Sequence, residues 1–113
     1  MNKLTNIPYN KMILIDEYFY NNFNLRLYLE KSYFKANGKD QFFFKLMLHD
    51  SNSNLTCAGY LYFYLDFDIK ECKFIGIYTK PEYRNNGFAS LLISNWIRLC
   101  LDNGIYNLET NKK

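Results

Sequence analysis

The sequence predicts an α/β fold of the α+β kind: an antiparallel β-meander followed by a β-α-β crossover. Three observations predict it. Apolar and polar residues alternate with period two in the stretch from Phe23 to Thr79, and clusters of turn residues interrupt that stretch. After Gly87 the apolar period lengthens to three and four, and a short strand-like run, "IYNLET", follows at 105–110.

Taken in order, "MILIDEYFY" at 12–20 fits either a strand or a short helix, and is read as a strand. Leu25, Leu27 and Leu29 alternate with Arg26, Tyr28 and Glu30, the pattern of a half-buried strand. Asn37-Gly38 offers the positive φ angles of a tight hairpin. A second strand of the meander covers Gln41 to His49, with Phe42, Phe44, Leu46 and Leu48 on one face. "DSNSN" at 50–54 is the next turn, because short polar side chains there bond their own backbone. A third strand spans Thr56 to Phe67, a fourth Cys72 to Thr79, and "DIK" turns between them.

Beyond Gly87, the residues Phe88, Leu91, Leu92, Trp96, Leu99 and Cys100 form a helical stripe, and Ala89, Ile93, Ile97 and Leu101 widen it. The expectation is a helix buried over most of its circumference, capped at its start by Asn86 and ended by Gly104 in the left-handed conformation. The order strand, helix, strand from Cys72 to Thr110 implies parallel outer strands, which puts the helix start beside the carboxyl end of the fourth strand.

Composition narrows the class. A chain of 113 residues with 49% apolar residues, 11 Tyr and 10 Phe is read as one packed domain over 1–113, with no second domain expected and a packed globule favoured over disorder. The net charge of +3 is spread along the chain rather than blocked, which argues against a nucleic-acid surface. Cys57, Cys72 and Cys100 are odd in number and form no CxxC pair, so they read as reduced, buried thiols, with neither a disulfide nor a metal site implied. No run approaches the ~18 apolar residues of a membrane span, and the first residues lack the apolar core of a signal peptide. A cytoplasmic location without membrane attachment is expected.

The junction "TKPEYRNNGFASLL" at 79–92 carries the chemistry. A helix start leaves its first N–H groups unpaired and carries partial positive charge, so a phosphate suits it. Gly87 and Ala89 keep the backbone approachable, and Arg84 adds a cation at the mouth of the loop. The plain alternative is an ordinary helix start, with Asn86 as cap and Gly87 incidental.

"GIYTKPEYRNNGFASLLI" resembles the cofactor-binding segment of the GNAT family of N-acetyltransferases, whose motif is Arg/Gln-x-x-Gly-x-Gly/Ala. Arg84, Asn85, Asn86, Gly87, Phe88 and Ala89 match it in register, and Pro81-Glu82-Tyr83 stands where the family often has Pro-x-Tyr. The resemblance covers about residues 41–110. It implies acetyl-CoA as co-substrate, its pyrophosphate held by backbone N–H groups from Asn85 to Ser90, with Arg84 opening the loop. It further implies that Ile77, Tyr78 and Thr79 offer backbone groups to the pantetheine arm, on a strand splayed from its neighbour. The activity implied is acetyl transfer to a primary amine on a small molecule or peptide.

Two departures from the family pattern shape the remaining expectations. The pattern begins with a strand and two helices, whereas residues 20–50 read as strands. The sequence also stops at Lys113, before the family's next helix and last strands, so the domain is expected to be the amino-terminal part of the fold. A degenerate domain that binds a partner or pairs with itself along an open sheet edge is the alternative to an enzyme. The catalytic candidates are Glu71 and Tyr78, with Asp66, Asp68, Lys73, His49 and Tyr83 as lesser ones; for each of them the first reading is structural, a solvated turn charge, a surface or capping residue, or a packing residue.

Overall fold

The computed structural model describes residues 6–34, 39–66, 69–105 and 107–110. Six strands form one sheet in sequence order: β1 (Met12–Tyr20), β2 (Phe23–Phe34), β3 (Lys39–His49), β4 (Leu55–Asp66), β5 (Glu71–Thr79) and β6 (Asn107–Thr110). The first five run antiparallel to their neighbours, and β5 and β6 are parallel. The single α-helix among the described residues, α1 (Phe88–Asp102), supplies the connection between them. This is a GNAT-like α+β architecture. The run 12–20 is therefore a strand, and Asn37-Gly38, Phe67 and Asp68 lie outside the described residues.

The alternation read from the sequence is realised on the helix-covered face. Leu25, Leu27 and Leu29 of β2 and Phe42, Phe44, Leu46 and Leu48 of β3 are buried there, beside Leu61, Phe63 and Leu65 of β4. Phe88, Leu92, Trp96 and Cys100 of α1 close over them. Phe42 and Phe63 stack with ring centroids 5.5 Å apart, and Trp96 packs on Phe63 and Phe74. Trp96 also satisfies its indole by donating from Nε1 to Cys72 Sγ at 3.0 Å, which joins α1 to β5.

Each turn has a chemical cause. Asp50 Oδ1 accepts from the backbone N–H of Asn52 and Asn54, each at 2.9 Å, as the "DSNSN" reading requires. Gly104, with φ of 74°, follows the last helical turn. The β1–β2 hairpin turns on Asn21 and Asn22, with φ of 54° and 69°. Asparagine tolerates that region better than other side chains do, and two successive positive φ angles suit the right-handed twist of a hairpin.

Two readings of the helix are corrected. Asn86 does not cap it: the capping position is Gly87, and no side chain bonds the free amides there. Nor is α1 buried over most of its circumference. Ala89, Ile93, Ile97 and Leu101 are exposed, Leu101 to 46%, because one helix on one sheet buries only the stripe that faces it.

Candidate functional site

β5 brings the chain to the site, and its local irregularity decides which side chains point there. Phe74 pairs with Phe63 and Gly76 with Tyr62, so Ile75 is an extra residue, a β-bulge. The bulge reverses the alternation. Cys72 and Phe74 face α1 before it, while Gly76 and Tyr78 share the opposite face with Tyr62 and Tyr60 after it. β6 pairs only with Glu71 to Phe74. From Ile75 to Thr79 the outer edge of β5 has no strand partner among the described residues.

After Thr79 the chain turns through a short 3₁₀ helix at Pro81–Tyr83, where proline at the first position ends the strand. Arg84 folds back, and its Nε donates to the Thr79 carbonyl at 2.9 Å. Asn85 and Gly87 then take positive φ, 68° and 79°. The first helical bond runs from Leu91 N–H to the Gly87 carbonyl at 3.1 Å. The amides of Phe88, Ala89 and Ser90 precede it and have no intrahelical partner. No acidic residue sits in this first turn.

Those elements enclose a pocket of about 440 Å³ lined by Ile77, Tyr78, Thr79, Arg84, Asn85, Gly87, Phe88, Ala89 and Ser90. Nine of the ten residues expected to meet the cofactor thus converge. Asn86 does not line it. Its amide Nδ2 instead donates to the carbonyls of Tyr83 at 3.0 Å and Arg84 at 3.3 Å, which holds the loop closed from within. The open amides, the lack of a carboxylate in the lining and a guanidinium at the rim together favour an anion.

The catalytic candidates separate. Tyr78 lines the pocket, 43% exposed, with its ring 5.5 Å from that of Tyr60. Glu71 opens β5 at its other end, eight residues from Thr79 and roughly 26 Å along the strand, so the structure does not bring it to the pocket. Asp66 pairs with Glu71 in the strand register at that same far end, and Lys73 is exposed nearby. Asp68 lies outside the described residues. His49 is exposed and borders two other hollows, one of about 520 Å³ with Glu17 and Arg26, the other of about 500 Å³ with Asp50 and Glu82. Tyr83 packs edge-on against Phe23 and near Phe88 as part of the loop's apolar floor.

The sequence reading missed the neighbours that the β1–β2 hairpin supplies. Tyr20 stands against the loop so closely that a Cβ on Gly87 would lie 2.5 Å from its hydroxyl oxygen. Asn21 Nδ2 donates to Asn86 Oδ1 at 2.7 Å, and Phe23 packs on Phe88 at 5.5 Å. The Asn21-Asn22 pair was the available signal, since adjacent asparagines between strands mark a hairpin whose tip must lie at one end of the sheet. Only the fold shows that this end is also the start of α1.

The family model described as acetyltransferase (GNAT) family matches residues 10–113. The chain belongs to the GNAT acetyltransferase family. The match begins before β1 and so takes in the hairpin as well as the loop and helix. No curated protein and no solved structure matches the chain. In this GNAT domain the loop at 84–87 and the start of α1 stand where the family motif was read, and no helix among the described residues is long and apolar enough to cross a membrane.

Proposed function

We propose that the protein is an acetyl-CoA-dependent N-acetyltransferase that transfers the acetyl group to a primary amine on a small molecule or peptide. The observation that carries this reading is the uncapped helix start, free of acidic side chains, opening on the pocket beside the end of β5. The amides of Phe88, Ala89 and Ser90 hold the pyrophosphate, with that of Asn85 entering from the loop and Arg84 adding charge. The strand segment at Ile77, Tyr78 and Thr79 binds the pantetheine arm and faces the thioester carbonyl. A backbone donor there stabilises the charge that develops on the carbonyl oxygen, an effect worth about 3 kcal/mol per donor where enzymes use it.

Transfer forms a carbon–nitrogen bond as the carbon–sulfur bond breaks, so one proton must leave the amine and one must reach the thiolate. Tyr78, which lines the pocket, is our candidate to donate to sulfur. No carboxylate lines the pocket and Glu71 sits at the other end of the strand, so the amine loses its proton to water at the open edge rather than to Glu71.

Calorimetric titration tests the reading. Acetyl-CoA should bind the wild-type protein saturably, and Ala89→Glu should weaken binding at least about tenfold through like-charge repulsion. Ala89 is exposed in the first helical turn, where glutamate favours the helix, so the variant should melt no lower than the wild type. A folded wild-type sample that takes up no CoA at millimolar concentration would sink the proposal. Tyr78→Phe should bind CoA normally and release thiol more slowly from acetyl-CoA with an accepted amine.

A further inference from the structure

We infer that the β1–β2 hairpin is a clamp for the pyrophosphate loop, with Tyr20 and Asn21 as positioning residues that act through Gly87 and Asn86. The inference rests on the acetyl-CoA reading above and adds residues that the family motif does not contain.

Its basis is a set of contacts from one hairpin end onto one loop. The tip, at Asn21 and Asn22, is held in the left-handed region at both residues, which aims the Asn21 side chain at Asn86. Asn86 passes that constraint on: its Oδ1 accepts from Asn21, while its Nδ2 donates to two successive loop carbonyls. On the next residue, the Tyr20 hydroxyl fills the space a Gly87 side chain would need, and the Tyr20 ring lies 6.5 Å from that of Phe88. Tyr20 and Asn21 do not line the 440 Å³ pocket. They bear on the loop from outside it, so their effect on a ligand is through the loop.

The physical consequence is preorganisation. Asn85 and Gly87 both hold positive φ, a geometry that a free loop samples only part of the time. Fixing it beforehand spares the ligand that ordering cost on binding. A clamp on the phosphate loop should therefore govern affinity for the pyrophosphate half of CoA and leave the pantetheine half alone.

Asn21→Gly is the cleanest probe, because glycine keeps the positive φ of the turn and removes only the side chain. Tyr20→Ala is the second, since it frees Gly87 without touching the turn. Binding of CoA is measured by calorimetry, binding of S-acetylpantetheine, which lacks the pyrophosphate, by amide shifts, and stability by thermal unfolding. Each variant should weaken CoA by about five- to tenfold while S-acetylpantetheine binds as to the wild type and melting stays within a few degrees. Equal weakening of both ligands would mean general loosening and overturn the clamp, as would unchanged CoA affinity in both variants. Failure of the wild-type protein itself to bind CoA would overturn the acetyl-CoA reading, and is seen before any variant is made.

Discussion

Gly87 shows how one residue is fixed by two independent constraints. Its φ of 79° disfavours any L side chain, and the space where a Cβ would stand is taken by the Tyr20 hydroxyl. From the sequence, the glycine reads as clearance for a bulky anion, but within the protein the room it leaves is filled by tyrosine. Gly87→Ala should therefore cost stability twice, about 1–2 kcal/mol for the left-handed backbone and a further amount for displacing Tyr20. In a Tyr20→Ala background the second cost vanishes and the first remains. Denaturant unfolding of the two single variants and the double variant separates the parts, and strict additivity would show that Tyr20 is not what the new methyl meets.

At the level of elements, the strands were legible because their code is short-range. Leu25, Leu27 and Leu29 declare a face by alternation alone, and the buried set on β2 and β3 is the one the period predicts. The helix was legible in position but not in burial. Ile93 and Ile97 look like core in a sequence, yet whether they meet anything depends on how many layers the fold has, and periodicity carries no information about that. The same limit hid the bulge at Ile75, which no residue type announces, and with it the face on which Tyr78 emerges. The loop motif was legible because the backbone it needs restricts the residues it can use, whereas its bracing by Tyr20 joins positions 67 residues apart. A pair of substitutions measures the difference between the two sides of α1. Leu92→Ala, in the buried stripe, should cost about 2–5 kcal/mol, while Ile97→Lys on the outer stripe should change stability by less than about 0.5 kcal/mol. A large loss from Ile97→Lys would mean that this side of the helix is covered in solution.

For the molecule as a whole, the interface between the helix and the sheet is also where two of the three thiols lie, which makes those two reporters of global opening. Cys72 on β5 and Cys100 on α1 are fully buried in the same core, and Cys57 is only partly so. The Cys72 thiol is pushed far above its ordinary range, by its hydrogen bond with the Cys100 thiol first and by burial second, against a smaller lowering by Trp96. Burial likewise raises Cys57. A folded-state thiol pKa that is raised stabilises the protein fully below the unfolded value of about 8.5, and that contribution is lost as pH climbs beyond it. At pH 8 the folded Cys57 and Cys72 thiols are thus protonated and inert toward a disulfide reagent, which attacks only the thiolate, and Cys100 is buried out of its reach. Cys57 should label first, through local opening, and Cys72 and Cys100 should label together and slowly, at the rate set by global unfolding. Acetyl-CoA binds only the folded chain in the proposed function, so at a hundredfold excess over its Kd it should add about 2.7 kcal/mol of stability. The labelling of Cys72 and Cys100 should then slow by about a hundredfold, although the loop proposed to hold the pyrophosphate contains no cysteine. Stopped-flow or mass-resolved labelling with and without the ligand reads this directly. Slowing of Cys57 alone would confine the effect of the ligand to local opening. Unchanged rates for all three thiols, in a protein shown to bind CoA, would mean that the site and the core do not unfold as one unit.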